Sequence, residues 1–349
     1  MTKNNEKNVG IIVTPNFSDK HIFKNKSYFK DILEDHFNQP INVRIEIHQK
    51  LKEYKNIDDI FKELKDFKKD NNLDYTFFIT DLLIKGEDIV AVEYNDEEKI
   101  VVLSLPIFIR PNFKEKIAEF IKQMILHFEN GTDYPIEKID GMSQFIKKDQ
   151  QSRLVLKPKL FSYIKLVLGM ALLNHPFAIL SSLVGVIAIA FSTGAFGLVF
   201  STMWILALNF SVIRLSITSV IAIIGMVIWV VTLHNLWTAQ RKNQNDGLRK
   251  IYNSATVLTL LASVIMFYAS LFSLFFISTM VLIPKDFLFN ELNLSSDHSR
   301  FIYVKIAWFA ASISTFAGAI GAGFESRKKL KDIIFQYPYK DEPKNSTEE

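Results

Sequence analysis

The pattern of hydrophobic and polar positions changes once along the chain, near residue 160. Before that point, short apolar runs alternate with charged segments. After it, apolar stretches of about twenty residues or more dominate, which is the length that crosses a bilayer as a helix. The pattern therefore predicts two parts of different character, a water-soluble domain over residues 1–150 and a membrane domain over residues 177–326.

Short apolar and alternating runs in the first part predict strands. Residues 9–14 are an apolar run that Pro15 ends, and residues 41–47 alternate apolar and polar side chains with the period of a half-buried strand. Three further runs predict strands at residues 75–79, 89–94 and 100–105, the last two joined by a hairpin turn over 95–98.

Apolar residues at helical spacing predict three helices in the same domain, over residues 20–37, 57–67 and 117–128. Asp58 and Asp59 fall in the first turn of the second helix, where the helix dipole favours anions. The resulting order is βαβαβββα, and the predicted fold is an α/β domain with a mixed sheet.

The second part predicts an all-α transmembrane four-helix bundle. Residues 177–233 carry a single charge, Arg214, and are too long for one span, so we expect spans at about 177–203 and 213–236. Further spans are expected at about 255–283 and 302–324. Residues 151–176 are interpreted as a linker in which 161–173 form an interfacial helix, and residues 327–349 as a disordered cytosolic tail.

The distribution of basic residues predicts how the spans are oriented across the membrane. Basic residues are concentrated before the first span, between the second and third, and after the fourth, which predicts a multi-pass protein of the cytoplasmic membrane with both termini cytoplasmic. The first residues also lack the apolar core of a secretory signal. Residues 1–150 have 23 basic against 27 acidic residues, and the remainder has 18 against 10. The basic excess therefore belongs to the membrane part, which favours a bilayer partner and argues against nucleic acid.

Candidate ligand-binding residues follow two of the predicted strands. Thr14, Asn16, Ser18 and Asp19 come after the first strand, where ligands of α/β domains usually bind, although Ser18 or Asp19 also fits a plain helix N-cap. Thr80-Asp81 ends the third strand and equally fits a turn.

The sequence excludes several kinds of metal, nucleotide and catalytic site. There is no cysteine, so thiolate metal sites, disulfides and cysteine nucleophiles are excluded. No glycine follows the first strand, so no dinucleotide or phosphate-loop fingerprint is present. Glu119 and His127 are eight residues apart, which does not match a helical zinc motif. We expect no catalytic residues, no metal and no cofactor.

The predicted spans are typical of packing helices. No ionisable residue lies in their central thirds, where transporters place functional charges. The fourth span carries small residues on one face, which predicts close helix packing. Trp229, His234, Asn235 and Trp237 are interpreted as an interfacial anchor. The predicted packing residues are Ala310, Ser314, Gly318 and Ala322.

Several segments resemble an uncharacterised Gram-positive bacterial membrane protein family. They are residues 79–82 (ITDL), 101–106 (VVLSLP), 192–196 (STGAF), 252–259 (YNSATVLT) and 321–326 (GAGFES). The resemblance implies a soluble α/β domain followed by four transmembrane helices. Members often carry the name 5,10-methylene-tetrahydrofolate dehydrogenase, which the missing dinucleotide fingerprint does not support here.

Three functions remain open from the sequence. The first is a membrane-anchored interaction or sensory module, with a protein partner or a homo-oligomer formed through the small-residue face. The second is a transporter or an accessory transport subunit. The third is an enzyme with a site in the N-terminal domain, which the absence of a catalytic constellation disfavours.

Overall fold

The chain forms two compact units, which are described separately. Among the described residues, the first unit comprises those up to Leu173 and residues 246–251, and the second comprises residues 174–239 and those from 252 to 321. The structure is a computed structural model that describes residues 6–14, 26–37, 40–48, 51, 57–84, 89–108, 113–131, 142–148, 151–156, 160–239, 246–292 and 301–321.

The first unit is built on one mixed sheet. Its strands stand in the order β2-β1-β3-β5-β4-β7-β6, with β2, β1, β3 and β5 parallel and the remaining pairs antiparallel. The strands are β1 (Lys7–Val13), β2 (Ile41–Ile47), β3 (Tyr75–Thr80), β4 (Ile89–Asn95), β5 (Ile100–Ser104), β6 (Met142–Lys148) and β7 (Gln151–Leu156).

Helices cover both faces of this sheet. Helix α2 packs Phe61 and Leu64 against the face that carries Phe78. Helix α3 lies on the other face, where the Phe128 ring stacks on Tyr75 with centroids 6.1 Å apart. The helices are α1 (Lys26–Phe37), α2 (Ile57–Asp70) and α3 (Phe113–Asn130). Burial on both faces explains the continuous apolar runs of β3 and β5.

The predicted order βαβαβββα is confirmed over residues 7–130. The sheet then continues through a hairpin that the sequence analysis did not predict, in which β7 pairs with β4 on one side and β6 on the other. The sheet therefore extends to Leu156, past the expected domain limit at residue 150. Period-2 alternation is weak in both strands, so they lack a clear sequence signal.

A helix, α4 (Leu160–Leu173), is present in the first unit where an interfacial helix was expected, and its location at a membrane interface stays a prediction. It packs against the 3-10 turn Leu105–Ile107 that follows β5. Ile164, Leu168 and Leu172 form an exposed apolar stripe along it at four-residue spacing.

The second unit is helical, and three of its helices are long and apolar enough to cross a membrane, or up to five if two bent helix pairs each count as one span. The three are α8 (Val212–Leu233), α9 (Asp246–Leu282) and α11 (Phe301–Gly321). They match the expected second, third and fourth spans, although α9 begins well before residue 255 and residues 322–324 lie outside the described part. The shorter helices are α5 (Pro176–Ser182), α6 (Val184–Gly197), α7 (Ser201–Asn209) and α10 (Lys285–Glu291).

The expected first span, residues 177–203, is not one straight helix. Helices α5 and α6 stack end to end, because Leu183 N–H donates to Ile179 O and Leu183 O accepts from Ile187 N–H. Helix α7 then turns by 94° from α6. Its last turn is capped by Lys305, whose Nζ donates to Leu208 O. Apolar length alone could not reveal this turn, because α7 is as apolar as a spanning segment.

Helices α6 and α11 approach closely through small residues. A Cβ on Gly194 would lie 1.9 Å from Ser314 Oγ and 2.4 Å from Phe275 Cζ, and one on Gly318 would lie 3.2 Å from Ala190 Cβ. Ala310, also on the predicted packing face of α11, is fully buried. Ala322 lies outside the described residues. This face packs inside the chain, so it is not a free surface for self-association.

A closed ring of hydrogen bonds joins α8, α9 and α11. The Trp308 indole N–H donates to Ser219 Oγ at 2.6 Å, and Ser219 Oγ lies 2.8 Å from Tyr268 Oη. Tyr268 Oη lies 2.9 Å from Ser312 Oγ, which donates to Trp308 O at 3.0 Å. Either hydroxyl can donate in the Ser219–Tyr268 and Tyr268–Ser312 contacts. If Ser219 donates to Tyr268 and Tyr268 donates to Ser312, four protons fill four consecutive links that start and end on Trp308. Such interhelical bonds stabilise membrane helices when apolar contact alone gives no preference for protein over lipid.

Candidate functional site

Polar residues meet at the carboxyl ends of three parallel strands in the first unit. Val13 pairs with Ile79 in the β1–β3 register, so Thr14 and Thr80 are the next residues in line. Thr80 is in turn the register partner of Ser104 on β5. Because side chains alternate along a strand, these three lie on the face covered by α2. We call Thr14, Thr80 and Ser104 the hydroxyl row.

Two members of the hydroxyl row fix the turn that carries Asp81. The N–H of Leu82 donates to Thr80 Oγ1 at 3.1 Å, and Ser104 Oγ donates to Leu82 O at 3.0 Å. Both backbone groups of Leu82 are thereby satisfied by side chains of adjacent strands. Asp81 is only 1% exposed. Burial of a carboxylate is costly unless neighbouring groups compensate it.

Thr14 differs from the other two hydroxyls. It is fully buried, and in the described part of the chain its Oγ1 has no hydrogen-bond partner. Buried hydroxyls are usually paired with protein or water. The other candidates of this loop, Asn16, Ser18 and Asp19, lie outside the described residues. The structure thus brings Thr14 next to Thr80-Asp81, while the remaining loop candidates stay predictions.

The strand order explains why this edge is suited to binding. From β1 the chain passes through α1 to β2 on one side, and then through α2 to β3 on the other side of β1. The connections therefore diverge at the carboxyl ends of β1 and β3. In open α/β sheets, ligands bind in the crevice at such a topological switch point. Thr14 and Asp81 stand at its two sides.

A second buried carboxylate, which was not predicted from the sequence, lies on the same face of the sheet. Glu93 is fully buried on β4, between Val102 of β5 and Arg153 of β7 in the strand registers. The signal available was a single acid inside the otherwise apolar run of residues 89–94. Only the pairing of β4 with β7 places a basic residue opposite it.

The opposite end of the sheet carries polar side-chain contacts with α3. Tyr75 Oη donates to Glu129 Oε1 at 3.0 Å, and His127 Nε2 lies 2.9 Å from Asp96 Oδ1. Burial raises the pKa of the Tyr75 phenol above its usual range, and the negative charge of the neighbouring Glu129 carboxylate raises it further. These contacts join α3 to the sheet, and we interpret them as structural.

No group of three or more His, Asp or Glu residues suited to a metal ion occurs within the described ranges. His127 contacts the carboxylate of Asp96, but within the described ranges the two do not belong to a group of three or more potential metal ligands. The proposed binding edge therefore offers hydroxyl and carboxylate groups for hydrogen bonding.

Comparison of the whole chain with protein-family models, with curated proteins and with solved structures found no match. The resemblance described from the sequence stays a prediction.

Proposed function

We propose that the protein is a membrane-anchored sensory module whose α/β domain binds a small polar ligand at the crevice between Thr14 and Asp81. The observation that carries the proposal is the convergence of Thr14, Thr80 and Asp81 at a topological switch point. A ligand with hydroxyl or amine groups suits this edge, since hydroxyl and carboxylate oxygens accept hydrogen bonds from it.

The membrane arrangement belongs to the same proposal. Residues 176–197 cross once as α5 and α6, and α8, α9 and α11 cross three times, giving four spans with both termini cytoplasmic. The basic flanks of these helices support that orientation. Helix α4 lies at the interface, with its stripe of Ile164, Leu168 and Leu172 towards lipid.

The ligand proposal is tested on the full-length protein purified in mild detergent. Small molecules released by denaturation are identified by mass spectrometry for the wild type and for Thr14→Val and Asp81→Asn. Thermal shifts are then recorded with neutral monosaccharides, amino acids and nucleosides as probes. We expect a bound compound or a stabilising probe in the wild type, lost in both variants.

The control is Thr76→Val. Thr76 is a fully buried threonine on the same face of β3 as Thr80, and its Oγ1 also has no partner in the described part of the chain. It stands at the far end of the strand, away from the crevice. The Thr76→Val variant should retain the compound. Equal loss in Thr14→Val and Thr76→Val, or no compound and no probe response in the wild type, contradicts the proposal.

A further inference from the structure

Helix α7 runs across the direction of its neighbours in the helical unit. Helix α6 lies alongside α11 over several turns. At one end of their contact, a Cβ on Gly194 would lie 1.9 Å from Ser314 Oγ, and at the other end a Cβ on Gly321 would lie 3.6 Å from Val186 Cγ1. Helix α11 is long and apolar enough to cross a membrane, and α7 turns by 94° from α6. Helix α7 is therefore nearly perpendicular to the crossing direction.

The turn between α6 and α7 satisfies its backbone groups within the chain. Its three N–H groups donate to carbonyls of the last turn of α6: Leu198 to Gly194 O at 3.1 Å, Val199 to Phe196 O at 3.3 Å and Phe200 to Gly197 O at 3.2 Å. The buried Trp204 indole N–H donates to Leu198 O at 3.0 Å. Hydrocarbon offers no hydrogen bonds, so a turn in contact with it has to satisfy its backbone internally.

The other end of α7 is closed in a similar way. Asn209 Nδ2 donates to Ile205 O at 2.8 Å, and Lys305 Nζ donates to Leu208 O. Lysine side chains near the ends of membrane helices usually extend to water. The Lys305 ammonium instead bonds to a carbonyl of α7 and ties the end of that helix to α11.

Four large apolar side chains are exposed along the same segment. Val199 is 74% exposed, and Phe200, Ile205 and Leu206 are also exposed. We call these four residues the α7 face. No charged residue occurs between residues 198 and 211. Exposed apolar surface of this kind marks contact with a membrane or with another protein.

Two observations favour lipid as the partner of the α7 face. The apolar exposure continues onto α8, where Ile213, Ile217 and Ile221 are exposed, and α8 is itself apolar enough to cross a membrane. The internal hydrogen bonds at both ends of α7 also suit surroundings that contain no donors or acceptors, whereas a protein partner would bring polar groups of its own.

We infer that α7 is an in-plane membrane helix, with the α7 face against lipid acyl chains just below the headgroups at the interface where α6 ends. Helices of this kind lie about 5–10 Å into the boundary between headgroups and acyl chains. The bond from Lys305 fixes this depth. The bent pair of α6 and α7 then crosses the membrane only once. This surface is separate from the hydroxyl row and is tested independently of the ligand proposed there.

The test measures the depth of α7 in a bilayer. The chain contains no cysteine, so one introduced cysteine carries one nitroxide label. Thr202→Cys and Leu206→Cys are placed on the exposed side of α7, one helical turn apart. The full-length protein is reconstituted into phosphatidylcholine vesicles at a low protein-to-lipid ratio. Collision of each label with oxygen, which concentrates in the bilayer, is compared with collision with a water-soluble nickel chelate.

Two labelled variants serve as references. Lys116→Cys, exposed on α3, reports full contact with water, and Ile221→Cys, exposed near the middle of α8, reports the bilayer interior. We expect the labels at Thr202→Cys and Leu206→Cys to lie at equal depth, about 5–10 Å below the phosphates. Circular dichroism and size-exclusion profiles establish that each variant is folded.

Three results would overturn the inference. Nickel-chelate collision equal to that of Lys116→Cys means that α7 lies in water. Low collision with both reagents means that another protein covers the α7 face. A depth difference of about 6 Å between the two α7 labels means that α7 continues along the membrane normal, because one turn rises by that distance.

Lys305→Met tests the bond that fixes the depth. Methionine keeps the aliphatic length but cannot donate to Leu208 O. The freed carbonyl then bonds to interfacial water, so the Leu206→Cys label should rise to less than about 5 Å below the phosphates. Lys305→Arg keeps a donor and should retain the depth. The matched control is Lys285→Met, whose ammonium lies 5.1 Å from the Phe289 ring centroid. An unmoved label in Lys305→Met, or an equal shift in Lys285→Met, contradicts the role of Lys305.

Discussion

Removal of the Tyr268 hydroxyl opens the hydrogen-bond ring between α8, α9 and α11 at a defined point. In Tyr268→Phe, the hydrogen bonds of Tyr268 Oη with Ser219 Oγ and with Ser312 Oγ are lost. Ser219 Oγ and Ser312 Oγ are 3.1 Å apart, so the Ser219 proton can be redirected to Ser312 and the ring closes with one link fewer. The net loss is one hydrogen bond. Interhelical bonds in membranes average about 0.6 kcal/mol and reach about 1.7 kcal/mol, which is the expected destabilisation.

Ser219→Ala is expected to cost more than Tyr268→Phe. Ser219 Oγ accepts the Trp308 indole N–H at 2.6 Å, and no other acceptor for this group is recorded among the described residues. An unsatisfied buried donor costs about 1–3 kcal/mol. The ranking follows because Ser219→Ala leaves the Trp308 indole N–H without its acceptor, whereas after Tyr268→Phe the Ser219 and Ser312 hydroxyls still have acceptors within reach.

The assay is equilibrium unfolding in mixed micelles with increasing dodecyl sulfate, followed by circular dichroism. Ser273→Ala is the control, because Ser273 is exposed on α9 and bonds only to Ala269 O of its own helix in the described structure. Its effect should be close to zero. A Tyr268→Phe variant no less stable than Ser273→Ala, or less stable than Ser219→Ala, refutes the reasoning.

Three further predictions concern single contacts. Gly194→Ala should destabilise the helical unit by about 1–3 kcal/mol through overpacking, measured by thermal unfolding, whereas Gly185→Ala, with open space at its Cβ, should not. Because the pKa of Tyr75 is raised in the folded protein, the unfolded chain loses the phenol proton at a lower pH than the folded protein does. The free energy of unfolding should therefore fall as the pH rises above about 10, and Tyr75→Phe should make this fall less steep. Asn253→Ala should speed hydrogen exchange at the Thr238 amide, because Asn253 Oδ1 accepts from that N–H at 3.0 Å, and unchanged protection would contradict this contact.

The periodicity of apolar residues predicted the elements of the first unit, because apolar side chains are spaced so that one side of each strand or helix faces the core. The alternation of residues 41–47 and the apolar spacing of 57–67 each follow from local geometry, and β2 and α2 occur there. The hairpin of β6 and β7 was not predicted, because neither strand shows clear alternation of apolar and polar residues. Its place beside β4 is decided by backbone pairing over about sixty residues of chain.

The candidate site was predicted only in part. Thr14 and Thr80-Asp81 could be named because they follow apolar runs, but the sequence does not say which strands are neighbours. The register places Thr14 beside Thr80, adds Ser104 from a third strand and leaves Glu93 buried on the same face. These relations depend on strand order, which periodicity within one strand does not encode.

In the helical unit, the sequence by itself determined which segments are long and apolar enough to cross a bilayer, because that property is a local sum over about twenty residues. It also determined the small-residue face of α11. Tertiary structure alone decided that α7 turns by 94°, that Gly194 meets Ser314, and that Trp308, Ser219, Tyr268 and Ser312 close a ring. Those features depend on atoms brought together from distant parts of the chain, and their geometry is fixed only when the helices pack.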